Sequence, residues 1–247
     1  MSGLFVVTGS SRGVGLEICR ILLDRSYRVI GLSRTPGPLK GLDGFEWCEC
    51  NLSEVDQVRY AAEQIDNMVD HHLNGLILNA SIGYYGLALE MGTIKLEKVV
   101  VQNFINQILL LRLLFPLICE RSELFYVSTS ASRIPAPMMA AYAATKVALE
   151  SFIQSLAMEC RFRVHIVRPA EIDTDFSRAI GVPPEAESVR NKLSTRTVAE
   201  KTLKMLNTNK MYSNIGYRAR LIDLVVRFCP SLLHRRPSIH TKYLKTR

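Results

Sequence analysis

The sequence lacks the patterns of a small metal-binding or repeat protein. None of its six cysteines forms a Cys-x-x-Cys pair and its five histidines are scattered, so we expect no metal site and buried, reduced cysteines. It has no internal repeat and no low-complexity run. With 48% hydrophobic and 22% charged residues, wholesale disorder is excluded. A length of 247 residues suits one large α/β domain or two small ones.

The chain also lacks the patterns of membrane-targeting segments. No basic leader precedes its first apolar run, and that run is too short for a signal peptide. We find no stretch of the length needed to span a bilayer as a helix. These absences predict a soluble, cytoplasmic protein.

Acidic residues are scarce in the C-terminal part. Residues 201–247 contain eleven Lys/Arg and one acid, Asp223, whereas the whole chain has a net charge of +8. We expect residues 216–247 to form a basic extension, with an amphipathic helix over 217–228 that continues over 231–236. We expect this helix to pack on its own fold or on a subunit partner; the alternative is weak contact with an anionic membrane or a role at the entrance for an apolar substrate. The basic residues are not interleaved with aromatics, so no nucleic-acid binding is expected.

What the sequence does contain begins with a glycine-rich loop. An apolar run over residues 3–8 leads to Gly9, Gly13 and Gly15, and residues 16–23 then carry apolar side chains at helical spacing. A glycine turn at a helix N-terminus offers backbone N–H groups and a favourable dipole to a phosphate. The pattern T-G-x-x-x-G-x-G differs from the common dinucleotide pattern G-x-G-x-x-G.

Strands and helices alternate along the rest of the chain. Expected strands are residues 3–8, 28–33, 45–50, 76–78, 124–127, 163–167 and 211–215. Expected helices cover residues 16–23, 53–72 (capped by Ser53), 94–121, 140–161 and 197–206, with a break at Asn74-Gly75. This alternation predicts a single Rossmann-type, doubly wound parallel sheet of about seven strands over residues 1–215, with helices on both faces. Residues 170–195 are expected to form an irregular lid.

The unusual polar motifs all follow strands, which places them at the carboxyl edge of the sheet where ligands bind. About 20 residues after the glycines, dinucleotide sites that prefer NAD usually carry an acid; this chain has Ser33-Arg34. Arg34 and Arg12 would both suit a 2′-phosphate, so we expect NADP(H) to be preferred over NAD(H).

A second motif carries the chemistry. Tyr142 and Lys146 lie one turn apart on one helix face, where the ammonium would lower the pKa of the phenol and allow proton transfer near neutral pH. Thirteen residues earlier stands Thr129, whose hydroxyl could hydrogen-bond a reacting oxygen; Ser128 is the alternative if the register differs by one.

Taken together, these motifs resemble the short-chain dehydrogenase/reductase family over residues 4–215. The resemblance implies that Tyr142 is the general acid or base, Lys146 lowers its pKa and holds the nicotinamide ribose, Thr129 orients the substrate oxygen and Asn103 holds a relay water. It also implies this cofactor-binding set: Thr8, Gly9, Ser11, Arg12, Gly13, Val14, Gly15, Arg34, Asn51, Leu52, Asn79, Ala80, Tyr142, Lys146, Pro169, Ile172 and Thr174. A homodimer or homotetramer through the two long helices would follow family habit.

The chain departs from the family pattern at four positions. Thr129 replaces Ser, Asn51 replaces Asp, and Ser81 and Ala170 each replace Gly. The expected activity is reduction of an apolar ketone or aldehyde, or the reverse oxidation of an alcohol. The alternative is a fold that senses nucleotide or acts as a scaffold without catalysis. The candidate pocket residues are Tyr84, Tyr85, Met138, Met139, Phe176, Ile180, Val182, Pro183 and Pro184.

Overall fold

A computed structural model of the chain describes residues 3–186 and 192–229. The strands are β1 (Leu4–Thr8), β2 (Arg28–Ser33), β3 (Phe45–Glu49), β4 (Leu73–Leu78), β5 (Ile118–Val127), β6 (Arg163–Pro169) and β7 (Tyr212–Ile215). The helices are α1 (Gly13–Asp24), α2 (Val55–Met68), α3 (Thr93–Val100), α4 (Asn106–Leu114), α5 (Ala140–Glu159), α6 (Phe176–Ala179), α7 (Thr195–Leu203) and α8 (Tyr217–Phe228). A π-helical turn, Val101–Ile105, joins α3 to α4.

The seven strands form one sheet in the order β3-β2-β1-β4-β5-β6-β7, and every pairing is parallel. The direction in which the sheet grows reverses between β1 and β4, which opens a crevice at their carboxyl ends. This architecture confirms the predicted doubly wound Rossmann-type sheet.

Each face of the sheet packs against its own set of helices. Leu4 and Val6 of β1 join the core beneath α2, α4 and α5, whereas Phe5 and Val7 join the core beneath α1 and α7. Successive side chains of a strand point to opposite faces, so a strand buried on both faces must be apolar throughout. Each buried aliphatic or aromatic side chain contributes about 1.5–3 kcal/mol, which fixes the sheet that carries the site.

The predicted break at Asn74-Gly75 is wrong, because both residues lie within β4. The Asn74 Oδ1 accepts a hydrogen bond from the Leu4 backbone N–H at 2.8 Å. A Cβ added to Gly75 would lie 2.4 Å from the ring of Phe5. The Asn-Gly pair therefore serves the close packing of β1 on β4 rather than a turn.

The predicted cap of α2 is also wrong. The helix begins at Val55 and ends at Met68, and the Ser53 hydroxyl instead donates to the Gln102 Oε1 at 2.7 Å. The local pattern predicted that the Ser53 hydroxyl would cap α2, but it hydrogen-bonds Gln102, which is 49 residues away in the sequence.

The single helix predicted over residues 94–121 is divided in the structure. It begins at Thr93, passes through the π-helical turn and ends in a 3₁₀ turn at Phe115–Leu117 that contains Pro116. Strand β5 then begins at Ile118, six residues earlier than predicted. Four polar residues, Glu120–Glu123, follow its first two, so no apolar run marked this part of the strand.

Among the described residues, the helical stretch Thr93–Leu117 is long and apolar enough to cross a membrane by length and composition, with a mean hydropathy of 1.4. The expectation that no stretch has that length is therefore wrong. Leu110, Leu111 and Leu114 of this stretch are nevertheless buried in the sheet core. It is a core helix of the fold.

The segments after β6 follow the prediction in outline. Within the lid region, α6 and a 3₁₀ turn at Pro184–Ala186 are present, and α8 has the predicted bounds. Helix α8 packs on the fold through Ala219 and Asp223. The predicted continuation over residues 231–236 lies outside the described residues.

Candidate active site

A cavity of about 1080 Å³ opens at the carboxyl edge of the sheet. Most of the predicted site residues line it: Gly9, Ser11, Arg12, Gly13, Val14, Arg34, Asn51, Leu52, Asn79, Ala80, Thr129, Tyr142, Lys146, Pro169, Ile172 and Thr174. Thr8, Gly15 and Asn103 are instead buried behind this lining. The topology therefore joins the glycine loop and the Tyr-x-x-x-Lys motif, which are 127 residues apart at Gly15 and Tyr142, in one cavity.

The glycine loop needs glycine for two different reasons. Gly9 has φ +72°, a left-handed conformation that other residues adopt at a cost. A Cβ on Gly15 would lie 2.2 Å from the carbonyl oxygen of Gly9, so the loop could not fold back over α1. The result is a helix N-terminus exposed to the cavity, where backbone N–H groups and the helix dipole favour an anion.

Thr8 supports this loop from behind. Its buried Oγ1 accepts hydrogen bonds from the backbone N–H groups of Asn79 at 2.9 Å and Ala80 at 3.0 Å. The side-chain Nδ2 of Asn79 donates to the Thr8 carbonyl at 3.0 Å. These bonds join the ends of β1 and β4 at the crevice, so Thr8 acts on the site through its neighbours rather than by direct exposure.

The cavity is cationic beside the glycine loop. Arg12 and Arg34 are both exposed and both line it. Ser33 sets the path of the loop that carries Arg34, since its hydroxyl donates to the Thr35 carbonyl at 2.8 Å. The lining residues at and directly after the carboxyl ends of β2 and β3 include no carboxylate: Ser33, Arg34, Thr35, Cys50, Asn51 and Leu52.

The Tyr142 and Lys146 side chains project from the first two turns of α5. The Lys146 Nζ donates to the Val127 carbonyl at 2.9 Å and lies 5.8 Å from the centre of the Tyr142 ring. It also lies 5.2 Å from the ring of Tyr126. The lysine is thus held between the end of β5 and the tyrosine, as the i, i+4 spacing predicted.

Burial shifts the pKa values of Tyr142 and Lys146 in opposite directions, and in each case it favours the uncharged form of the side chain. It raises the pKa of Tyr142 to about 12, an effect opposed by a hydrogen bond from Ser81, although part of the phenol faces the cavity. It lowers the pKa of Lys146 to about 7, opposed by the carboxylate of Glu150. The predicted lowering of the tyrosine pKa by Lys146 is therefore not found, because the loss of water around the phenol is the largest effect and is opposed only by the hydrogen bond from Ser81.

The structure distinguishes the two hydroxyls that follow β5. The Ser128 hydroxyl is buried and donates to the Glu150 Oε2 at 2.8 Å. Thr129 is partly exposed and lines the cavity, and its Oγ1 accepts from the Ala131 N–H at 3.2 Å while its own proton is not used in that bond. Thr129 is thus placed to donate toward a ligand, as predicted from its spacing to Tyr142.

Asn103 lies at the centre of the π-helical turn, a distortion common at functional sites. Its Oδ1 accepts from the Ile82 N–H at 2.8 Å, and its Nδ2 donates to the Ile82 carbonyl at 2.7 Å and to the Thr145 Oγ1 at 3.2 Å. The side chain thus connects the loop after β4 to α5. The relay of a proton through this residue stays a prediction.

The wall opposite the glycine loop is mainly apolar. Of the predicted pocket residues, it includes Tyr85, Met139, Phe176, Ile180 and Val182, and the Phe176 ring centre lies 5.4 Å from that of Tyr142. The remaining predictions, Tyr84, Met138, Pro183 and Pro184, are not among the lining residues. Sequence reasoning missed the roles of Ser81 against Tyr142 and of Ile82; their position directly after Asn79-Ala80 was the available signal.

A buried chain of charges behind the site was also missed. Glu150, one turn beyond the lysine on α5, accepts from the Arg168 Nε at 3.0 Å as well as from Ser128. Arg168 continues to Asp223 of α8 at 3.8 Å, and Asp223 also pairs with Arg133 at 3.3 Å. No local pattern links residues so far apart, so only the tertiary structure reveals this network.

The family model of the short chain dehydrogenases matches residues 4–183 of this chain. The match covers most of the chain, which therefore belongs to the short-chain dehydrogenase/reductase family of oxidoreductases.

A curated relative is the uncharacterized oxidoreductase YbbO of Escherichia coli, 29% identical over 193 residues that cover 75% of this chain and 72% of YbbO. Two solved structures share the fold. A short-chain dehydrogenase of Burkholderia cenocepacia in complex with NADP has a TM-score of 0.79 and 23% identity, over 96% of this chain and 98% of that one. A short-chain dehydrogenase/reductase of Burkholderia phymatum in complex with NAD has a TM-score of 0.81 and 18% identity, over 96% of each chain.

Proposed function

We propose that this protein is an NADP(H)-dependent oxidoreductase that transfers a hydride between the nicotinamide and a carbonyl or alcohol substrate. The observation that carries the proposal is one cavity that holds the glycine loop at one end and Thr129, Tyr142 and Lys146 at the other. The glycine cradle fits a dinucleotide, because the N-terminus of α1 opens onto the cavity and Gly9 and Gly15 keep side chains out of the turn. The cofactor, when bound, supplies the hydride.

In reduction, the chain's own groups would orient and protonate the substrate oxygen. Thr129 would donate a hydrogen bond to that oxygen, and the neutral phenol of Tyr142 would give it a proton. The raised pKa of Tyr142 keeps the phenol protonated at neutral pH, which suits the acid role. Lys146 would stabilise the phenolate that forms and would hold the nicotinamide ribose, as in the family it belongs to.

The preference for NADP(H) rests on charge. Arg12 and Arg34 approach the adenosine end from two loops, and no acid stands after β2 to hydrogen-bond a ribose 2′-hydroxyl. Guanidinium groups bind phosphate with charge-assisted, often bidentate hydrogen bonds. Since the structural neighbours include both an NADP and an NAD complex, this preference is argued from the two arginines of this chain alone.

We propose an apolar ketone or aldehyde as the substrate in the reductive direction. The support is the wall formed by Met139, Phe176, Ile180 and Val182 beside Tyr142. Apolar and aromatic walls with a few polar groups are typical of small-molecule sites.

We also propose that the protein is a homodimer or homotetramer that pairs through α3–α4 and α5, where Ile105 and Val147 are exposed.

The decisive experiment measures oxidation of NADPH and NADH by the purified protein against ketones, aldehydes, diketones, sterols and retinoids. We expect turnover of an apolar carbonyl with NADPH, and a kcat at least about 100-fold lower for Tyr142→Phe with NADPH binding retained. Turnover unchanged in Tyr142→Phe would contradict the assigned role. Tight NADPH binding without hydride transfer to any substrate would favour the nucleotide-binding scaffold instead.

A further inference from the structure

Helix α8 turns an apolar stripe away from the protein. Tyr217, Leu221, Leu224 and Phe228 recur at positions i, i+4, i+7 and i+11, which fall on one side of an α-helix. They are 80%, 45%, 53% and 76% exposed. A surface helix normally places polar residues on its outer side, so a contiguous apolar stripe there marks an interaction surface.

The stripe does not belong to the hydrophobic core, because the opposite side of α8 is the side that packs against the fold. Ala219 and Asp223 are buried against the fold. The Asp223 carboxylate pairs with Arg133 at 3.3 Å and lies 3.8 Å from Arg168. Rotation of the helix to bury the stripe would expose hydrophobic surface and break these buried ion pairs, which is costly.

Arginines flank the stripe on both sides. At 100° per residue, Arg218 lies on one side of it and Arg220 and Arg227 on the other, and all three side chains are exposed. Asp223 is the only acid among residues 201–247; it is buried, and its Oδ2 pairs with the Arg227 Nε at 3.0 Å. On the other side of the stripe, Arg218 lies 4.0 Å from Glu171. Residues 230–247, outside the described part, add five Lys/Arg and no acid. The outer face of α8 is therefore an apolar centre with a cationic rim.

We propose that this face of α8 binds the surface of an anionic lipid bilayer. The helix would lie parallel to the membrane, with the stripe in the boundary between headgroups and acyl chains and the arginines on lipid phosphates. A second copy of the chain fits less well. A two-fold contact would place the same arginines opposite one another, and the one acid of α8, Asp223, is buried and already paired with Arg133 and Arg227.

Membrane binding through α8 would place the cavity beside the bilayer. Arg133, the partner of Asp223, lies two residues after Ala131, which lines the cavity. An apolar substrate dissolved in lipid would then meet the protein near its active site. This docking does not depend on the reaction, so it can be tested apart from the proposed function.

The test is co-sedimentation of the full-length protein with vesicles of phosphatidylcholine alone or mixed with phosphatidylglycerol. We expect binding to the anionic vesicles that weakens as salt is raised, and an affinity about 10–100-fold lower for the double variant Leu221→Gln/Leu224→Gln. The matched control is Met158→Gln. This residue is 88% exposed on α5, about 24 Å along the helix from Tyr142, and its substitution should leave vesicle binding unchanged.

Circular dichroism and the binding of NADPH show whether the double variant is folded. Vesicle binding that survives in a folded double variant would overturn the proposal, since the basic tail alone would then suffice. Equal binding to neutral vesicles, insensitive to salt, would also overturn it. So would a dimer in lipid-free solution that the double variant dissociates, because a second copy would then occupy the face.

Discussion

Lys146 is a cation in a place with little water. Its side chain is 3% exposed, and its partners are a backbone carbonyl, two aromatic rings and the nearby Glu150 carboxylate. Burial lowers its pKa to about 7, so the lysine changes charge in the physiological range. In the proposed mechanism the ammonium would stabilise the phenolate formed when Tyr142 gives up its proton, so activity should follow this titration.

We therefore predict that kcat/KM for carbonyl reduction falls as pH rises through about 7, since Lys146 then loses its charge. The Glu150 carboxylate raises the pKa of Lys146, so in Glu150→Gln this fall in kcat/KM, the alkaline limb of the profile, should occur at lower pH. The measurement is a pH–rate profile at saturating NADPH.

The control is Glu159→Gln. Glu159 is an exposed carboxylate at the far end of the same helix, so its substitution should leave the pH of the alkaline limb unchanged. A profile for Glu150→Gln that coincides with the wild-type profile would argue against Lys146 as the titrating group.

Among the elements, α5, β6 and α8 depend on one another through a single arginine. Arg168 of β6 is 3% exposed, hydrogen-bonds Glu150 of α5, approaches Asp223 of α8 and lies 4.5 Å from the ring of Tyr212 in β7. Removal of one member of a buried ion network leaves its partners charged without compensation. The network thus makes α5 and α8 parts of one packed unit.

Arg168→Met should reduce the free energy of unfolding by about 3–5 kcal/mol, measured by urea denaturation. Arg161→Met is the matched control, because Arg161 pairs with Glu120 at 3.0 Å but both side chains are largely exposed. Its cost should stay below about 1 kcal/mol. Similar losses for the two variants would show that the buried network adds nothing to stability.

At the scale of the whole molecule, a cofactor bound in the cavity would stabilise the fold. The cavity takes its lining from six loops at one edge of the sheet, so a ligand that fills it connects strands from both halves of the fold. A ligand that binds only the folded state adds stability by mass action, about 2.7 kcal/mol at a concentration 100 times its dissociation constant.

NADPH should therefore raise the melting temperature more than NADH at equal concentration. In Arg34→Ala, the loss of charge-assisted contacts should weaken NADPH about 10–100-fold and leave NADH unaffected. Arg28→Ala, at the opposite end of β2 and paired with Asp70 on the surface, serves as the control. If NADPH raised the melting temperature of Arg34→Ala as much as that of the wild-type protein, the assignment of Arg34 to the 2′-phosphate would be wrong.

The sequence alone was sufficient for the periodic and local features of this protein. Alternating apolar runs and helical spacings predicted the parallel sheet, because a strand buried on both faces has to be apolar. The glycine loop, the Tyr142–Lys146 pair and Thr129 each combine residue type with a fixed spacing, and the structure places them along one cavity. Their chemical roles stay predictions. The bounds of β2 and α8 agree with the structure for the same reason.

Only the tertiary structure decided features that depend on distant partners. Gln102 took the hydroxyl of Ser53 away from its helix, and Phe5 required Gly75 within a strand. Ser128 proved to be engaged by Glu150, which leaves Thr129 to face the cavity. The pKa of Tyr142 rose rather than fell because desolvation depends on the whole surroundings, which no four-residue spacing encodes.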